Sequence, residues 1–136
     1  VQSGTPFTTT LNFDNANAGT VSYPNRICDG SLENRSIRKW FDTSCFVAPP
    51  TYVFGNQGRN VLRAPGRNNL NLGLQRRFPL PFREGMGLEF RAEGYNFLNH
   101  PQFTRPAATV GNAGFGTITA TAVTARQMQF ALRLAF

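Results

Sequence analysis

Few side chains in this sequence carry reactive chemistry, and their spacing limits what they can do. Cys28 and Cys45 are the only cysteines and His100 is the only histidine. Two thiols and one distant imidazole do not give metal-ligand spacing. A cystine or two separate buried thiols are the readings left open. His100 lies in Asn99-His100-Pro101, where a lone histidine before proline reads as a structural hydrogen-bonding residue rather than a base. Glu89 and Glu93 share one parity, so on a strand they stand about 13 Å apart at about 3.3 Å per residue. That is too far for paired-carboxylate catalysis, and Arg91 between them makes a charge ladder instead. Gly111, Gly114 and Gly116 lack the order of a phosphate loop and no helix follows them. Neither a nucleophile elbow nor a zinc helix motif is present, and the sequon Asn34-Arg35-Ser36 reads as coincidence. The sequence predicts no catalysis, no cofactor and no metal.

Charge narrows the partners. The 136 residues carry 14 Lys+Arg against 7 Asp+Glu, a formal net charge of +7. Lys39 is the sole lysine, and the arginines are spread from Arg26 to Arg133. Nucleic-acid binders cluster their cations on one face or helix, so no nucleic-acid partner is expected. A weaker alternative is a soluble module that uses Arg59, Arg63 and Arg67 on an anionic partner. Charged residues are 15% of the chain, below the roughly 25% of a soluble domain. With 13 Gly and 9 Pro, this composition disfavours a helical bundle, a coiled coil or an acidic tail. No apolar run is long enough for a membrane-spanning helix. Val1-Gln2-Ser3-Gly4 lacks an initiator Met and a signal-peptide pattern, which leads us to expect a processed or internal start.

The elements that must position these residues are read from period-2 alternation, the mark of a strand with two unlike faces. It is cleanest over 127–136. Met128, Phe130, Leu132, Leu134 and Phe136 fall on one parity; Gln127, Gln129, Ala131, Arg133 and Ala135 fall on the other. In 69–78, Leu70, Leu72, Leu74 and Phe78 alternate with polar or small residues, and Arg76 breaks the apolar parity. In 86–97, Met86, Leu88, Phe90 and Ala92 alternate with Gly87, Glu89, Arg91 and Glu93. The Pro/Gly-rich link from Pro79 to Gly85 makes these two an antiparallel hairpin. Phe7, Thr9, Leu11 and Phe13 predict a strand or strand end. Residues 14–67 read as a long irregular loop with one short helical turn N-capped by Ser36. Residues 99–125 form a second long connection, in which 115–123 is Thr-rich enough for a small strand.

Alternation alone fits a soluble sandwich, with its apolar parity toward a core, or a membrane barrel, with that parity toward lipid. Three features favour the barrel. The alternating segments are about ten residues long, as a tilted bilayer-crossing strand requires, against a usual five or six. The other parity carries full charges, Arg77, Glu89, Arg91, Glu93 and Arg133, which suit a polar lumen where neighbouring strands pair opposite charges. Short and long connections alternate, as in barrels with tight periplasmic turns and large outer loops.

Three stretches carry a family resemblance: Gln2 to Phe7, Trp40 to Pro49, and Phe54 to Gly66. Phe90-Arg91-Ala92-Glu93, Asn96 to Phe103 and Gln127 to Phe136 continue it in order. Together they resemble the C-terminal barrel region of Oar-like TonB-dependent outer-membrane transporters, across nearly the whole chain. The resemblance implies a strand end over 1–13, an extracellular loop over 14–67 and a hairpin over 68–97. A second outer loop follows over 98–125, then a terminal strand over 126–136. It places Cys28 and Cys45 in an extracytoplasmic loop, where two cysteines pair as a disulfide. It also makes Met128, Phe130, Leu132, Leu134 and Phe136 resemble the terminal signal by which outer-membrane barrels are recognised for assembly. Such transporters have about 22 strands, so three strands and a stub are expected to be an incomplete segment whose plug lies upstream.

The expected fold class is therefore all-β: long antiparallel strands with long irregular loops, either part of an outer-membrane barrel or an open sheet completed by other copies. The expected partners are the remainder of a barrel, with membrane lipid, or other copies of the chain. The first reading gives a non-catalytic wall and loop segment in the bacterial outer membrane. The second gives an extracellular β-rich filament built by strand addition between unpaired edges.

Overall fold

The computed structural model describes residues 1–82 and 84–136; Arg83, in the expected hairpin turn, lies outside the described residues. The chain forms two compact units. A sheet unit comprises Asn68–Gln102 and Ala122–Phe136 together with Val1; a loop unit comprises Gln2–Arg67 and Phe103–Thr121. Among the described residues there is no α-helix, and every regular element but one 3-10 turn is a strand.

In the loop unit the strands are two-residue pairings. They are β1 (Pro6–Phe7), β2 (Thr10–Leu11), β3 (Asn25–Arg26), β4 (Phe46–Val47), β5 (Leu62–Arg63) and, after the sheet strands β6 (Leu72–Pro79) and β7 (Gly87–Tyr95), β8 (Thr109–Val110). β1 pairs antiparallel with β5, and β3 with β4. Such short strands cannot hold a unit together, and an aromatic core does so. Phe41 is 1% exposed and lies 5.9 Å from Phe7, 5.6 Å from Phe46 and 5.2 Å from Phe115, ring centre to ring centre. These tilted and edge-on contacts suit the aromatic quadrupole and add to the area buried. The Cys28–Cys45 disulfide closes beside this core, with Cys45 buried in it.

Buried polar groups in the same unit are paired, as they must be away from water. Thr9 is 0% exposed; its hydroxyl donates to Gln57, whose Nε2 returns a bond of 3.1 Å to the Thr9 carbonyl. Asn15 donates to the carbonyls of Pro50 and Val53 at 2.9 and 3.0 Å.

The sheet unit is built from β6 (Leu72–Pro79), β7 (Gly87–Tyr95) and β9 (Gln127–Ala135). They form one antiparallel sheet in the order β6-β7-β9. Its strands are 8, 9 and 9 residues long, long for soluble strands and close to a bilayer-crossing length. β7 is the centre, and β6 and β9 are each paired on one side only among the described residues. The sheet does not close on itself.

Several expectations need correction. The helical turn capped by Ser36 is absent. Ser36 and Lys39 instead exchange backbone bonds of 3.0 and 3.2 Å. The one helical turn is at Thr43–Cys45, N-capped by Asp42, whose carboxylate accepts from the Ser44 amide at 3.1 Å. The Ser36 hydroxyl does accept from the Lys39 amide at 3.1 Å, but the reciprocal backbone bonds close that segment into a turn that does not continue as a helix. The small strand of the second connection is β8 (Thr109–Val110), not 115–123; it pairs parallel with β2. Thr121 alone of the expected stretch makes a bridge, to Phe103. The N-terminal alternation keeps Phe7, Thr9 and Leu11 buried but leaves Phe13 exposed, and its strand is split in two. β7 stops at Tyr95 rather than Phe97 because Asn96 turns to a positive φ of 49°, a conformation that no strand continues through.

Candidate functional site

The antiparallel register settles which side chains share a face. Leu72, Leu74, Arg76 and Phe78 of β6 stand opposite Gly94, Ala92, Phe90 and Leu88 of β7. Those four stand in turn opposite Met128, Phe130, Leu132 and Leu134 of β9. Apart from Arg76 this face is wholly apolar. It is also uncovered: Phe130 is 64% exposed and Leu132 is 68% exposed. The stacked rings of Phe90 and Phe130, with centres 6.5 Å apart, lie on it. Water would not leave so large a contiguous apolar surface bare; such a patch marks a membrane or protein contact.

The opposite face brings the expected polar residues together. One row places Arg77, Glu89 and Arg133 directly across the three strands; the next places Gln75, Arg91 and Ala131, and then Gly73, Glu93 and Gln129. The ladder along β7 forms in part, through Arg91 and Glu93, while among the described residues no ion pair joins neighbouring strands. Glu89 accepts from Gln75 Nε2 at 2.6 Å, while Arg91 bonds Glu93 on its own strand at 2.5 Å. Arg77 lies over Gly87, where an added Cβ would come within 2.8 Å of its Nε. Arg77 therefore sits where Gly87 leaves room, and the carboxylates take nearer partners. Phe136 is almost fully exposed beyond the end of β9.

Beyond the strands, two buried amides that sequence reasoning passed over lock the sheet unit. Gln102 donates to the Asn68 carbonyl at 2.6 Å and accepts from the Asn68 amide at 2.8 Å, imitating a strand partner. Asn96 Nδ2 donates to the carbonyls of His100 and Thr124 at 3.3 and 3.1 Å. His100 thus contributes its carbonyl, while its side chain is exposed. The signal was the Asn96 to Phe103 stretch, where amide side chains recur at every third position (Asn96, Asn99, Gln102) just past the end of a strand.

In the loop unit the three aspartates are held below their ordinary carboxylate range by hydrogen bonds. The Gly19 amide is the chief cause at Asp14, and the Ser31 and Ser44 hydroxyls are the chief causes at Asp29 and Asp42. Asp29 also bonds Arg26 at 2.6 Å. Arg63 sits in β5, and Arg67 lines a cavity of about 50 Å³ with Arg105, Ser3 and Thr5. Among the described residues no group of three metal-ligating side chains comes together.

A long antiparallel sheet, apolar and bare on one face and charged on the other, defines the wall of a membrane β-barrel. Over residues 1–129 the chain matches the outer membrane beta barrel domain, and it belongs to that family. This supports a bacterial outer-membrane location. Comparison with curated proteins and with solved structures gave no match.

Proposed function

We propose that the chain is a wall-and-loop segment of a TonB-dependent transporter-like barrel and performs no catalysis itself. The observation that carries this reading is the register-aligned apolar face, which asks for lipid on one side and leaves charges for a wet lumen on the other. Family membership supports the barrel, and the ordered resemblance to Oar-like transporters supports the finer class. In this reading the link between β6 and β7 is a periplasmic turn, and the disulfide-closed loop unit is extracellular and faces the transported substrate. The test is retention of the full-length protein on the immobilised periplasmic domain of TonB. Retention supports a TonB-dependent transporter; no retention leaves a barrel and removes that class.

A second reading is favoured by the two open edges of the sheet, at β6 and β9. Unpaired edges template strand addition, and head-to-tail addition between copies does not close. The chain would then be the subunit of an extracellular β-rich filament. Electron microscopy separates the two: regular fibres without detergent support the filament, and discrete detergent-dependent particles remove it.

A further inference from the structure

Arg76 is the one charge on the apolar face. It stands in register with Phe90 and, through it, with Leu132. Both glutamates of the sheet lie in the rows of the opposite face, and among the described residues no ion pair joins Arg76 to Glu84. Among the described residues Arg76 has no ion pair. Its guanidinium lies over the Phe78 ring, 5.2 Å from the centre. Phe78 is two residues nearer the turn, so the side chain runs along the strand toward the β6–β7 turn rather than out into the apolar layer.

An unpaired guanidinium in hydrocarbon is costly, and long basic side chains relieve the cost by reaching the interface. Here the reach has a direction and a support. Phe78 holds the cation by its ring face, one residue from the strand end at Pro79. At that level a bilayer presents headgroup phosphates, and a guanidinium offers a planar fork that bonds two phosphate oxygens at once. We infer that Arg76, seated on Phe78, is a binding point for the phosphate of an anionic membrane lipid in the leaflet on the turn side. This rests on the reading of the apolar face as lipid-facing.

The probe is phosphatidylglycerol, titrated against the full-length protein in neutral detergent, with retained lipid counted by native mass spectrometry. Arg76→Gln is expected to weaken retention about fivefold, as for the loss of one basic residue at a membrane surface. Arg76→Lys should keep part of the affinity, and Arg91→Gln, on the other face, should keep all of it. Equal retention by Arg76→Gln and the unmodified protein overturns the inference. So does equal retention of diacylglycerol, which lacks the phosphate. Displacement by inorganic phosphate would make this a free-anion site and also overturn it. Quenching by brominated acyl chains, read as the difference between Phe130→Trp and the unmodified protein, tests the lipid-facing wall separately. Quenching there with a silent Arg76→Gln refutes only the lipid site; absence of quenching refutes the wall.

Discussion

A charge placed on one face of the sheet is expected to cost far more than the same charge one residue away. Phe130 lies in the row with Leu74 and Ala92, on the apolar face and 64% exposed. In a lipid-facing wall, Phe130→Arg costs about 2–4 kcal/mol near the bilayer midplane. Gln129→Arg, on the polar face, stays within about 0.5 kcal/mol. Leu134 is four residues nearer the turn end, about 13 Å at about 3.3 Å per residue, so Leu134→Arg falls toward the roughly 0–1 kcal/mol of an interfacial site. The native Arg76, one row from Phe78 and leaning toward the turn, is tolerated for the same reason. The assay is urea unfolding of the full-length protein in lipid vesicles, with each midpoint converted through a shared slope. An equal cost for Gln129→Arg and Phe130→Arg would refute the reasoning, because it would mean that the two parities see the same medium. A larger cost at Leu134 than at Phe130 would refute the assignment of depth.

Replacing Cys28 and Cys45 with Ser opens a loop closed by residues 17 apart and is expected to cost the loop unit about 3 kcal/mol by the chain-entropy relation; faster proteolysis of that unit under native conditions checks it. Phe41→Ala removes the ring at the centre of the aromatic core and should cost about 3–5 kcal/mol, read by the same proteolysis, with Phe13→Ala as a near-neutral control. Asp14, Asp29 and Asp42 have folded values below their ordinary 3.8. Their stabilisation is therefore full above that value and is lost as pH falls through the lower folded values. Protection of the loop unit should thus fall below about pH 4, and Asp29→Asn should flatten the loss. Gly55→Ala should destabilise the loop unit strongly, since its Cβ would overlap the carbonyl oxygens of Tyr23 and Pro24; unchanged thermal unfolding would count against that packing.

How much was legible depends on the range of the interaction. The faces of β6, β7 and β9 could be read from alternation because period 2 is a local property of a strand. The hairpin followed from the Pro/Gly link and needed no distant contact. The helical turn was misplaced because Ser36 and Asp42 both accept from an amide two or three residues on, a local bond that does not by itself say which segment winds into a helix. The β2–β8 pairing joins residues about a hundred positions apart through two-residue strands, and no periodicity survives in so short an element. Gln102 and Asn96 were missed for a similar reason: their worth lies in carbonyls brought to them by the fold.

By itself the sequence determined that the long strands have one apolar and one charged face, that they run antiparallel through a tight link, and that two cysteines share one loop. These follow from backbone geometry and side-chain type alone. Only the tertiary structure decided that the apolar faces of three strands align into one bare surface, since register depends on hydrogen bonds between strands. It also decided that Phe7, Phe41, Phe46 and Phe115 converge to fold a region that reads locally as irregular loop. Burial is a property of the assembled chain, and aromatic residues scattered over more than a hundred positions acquire it only together.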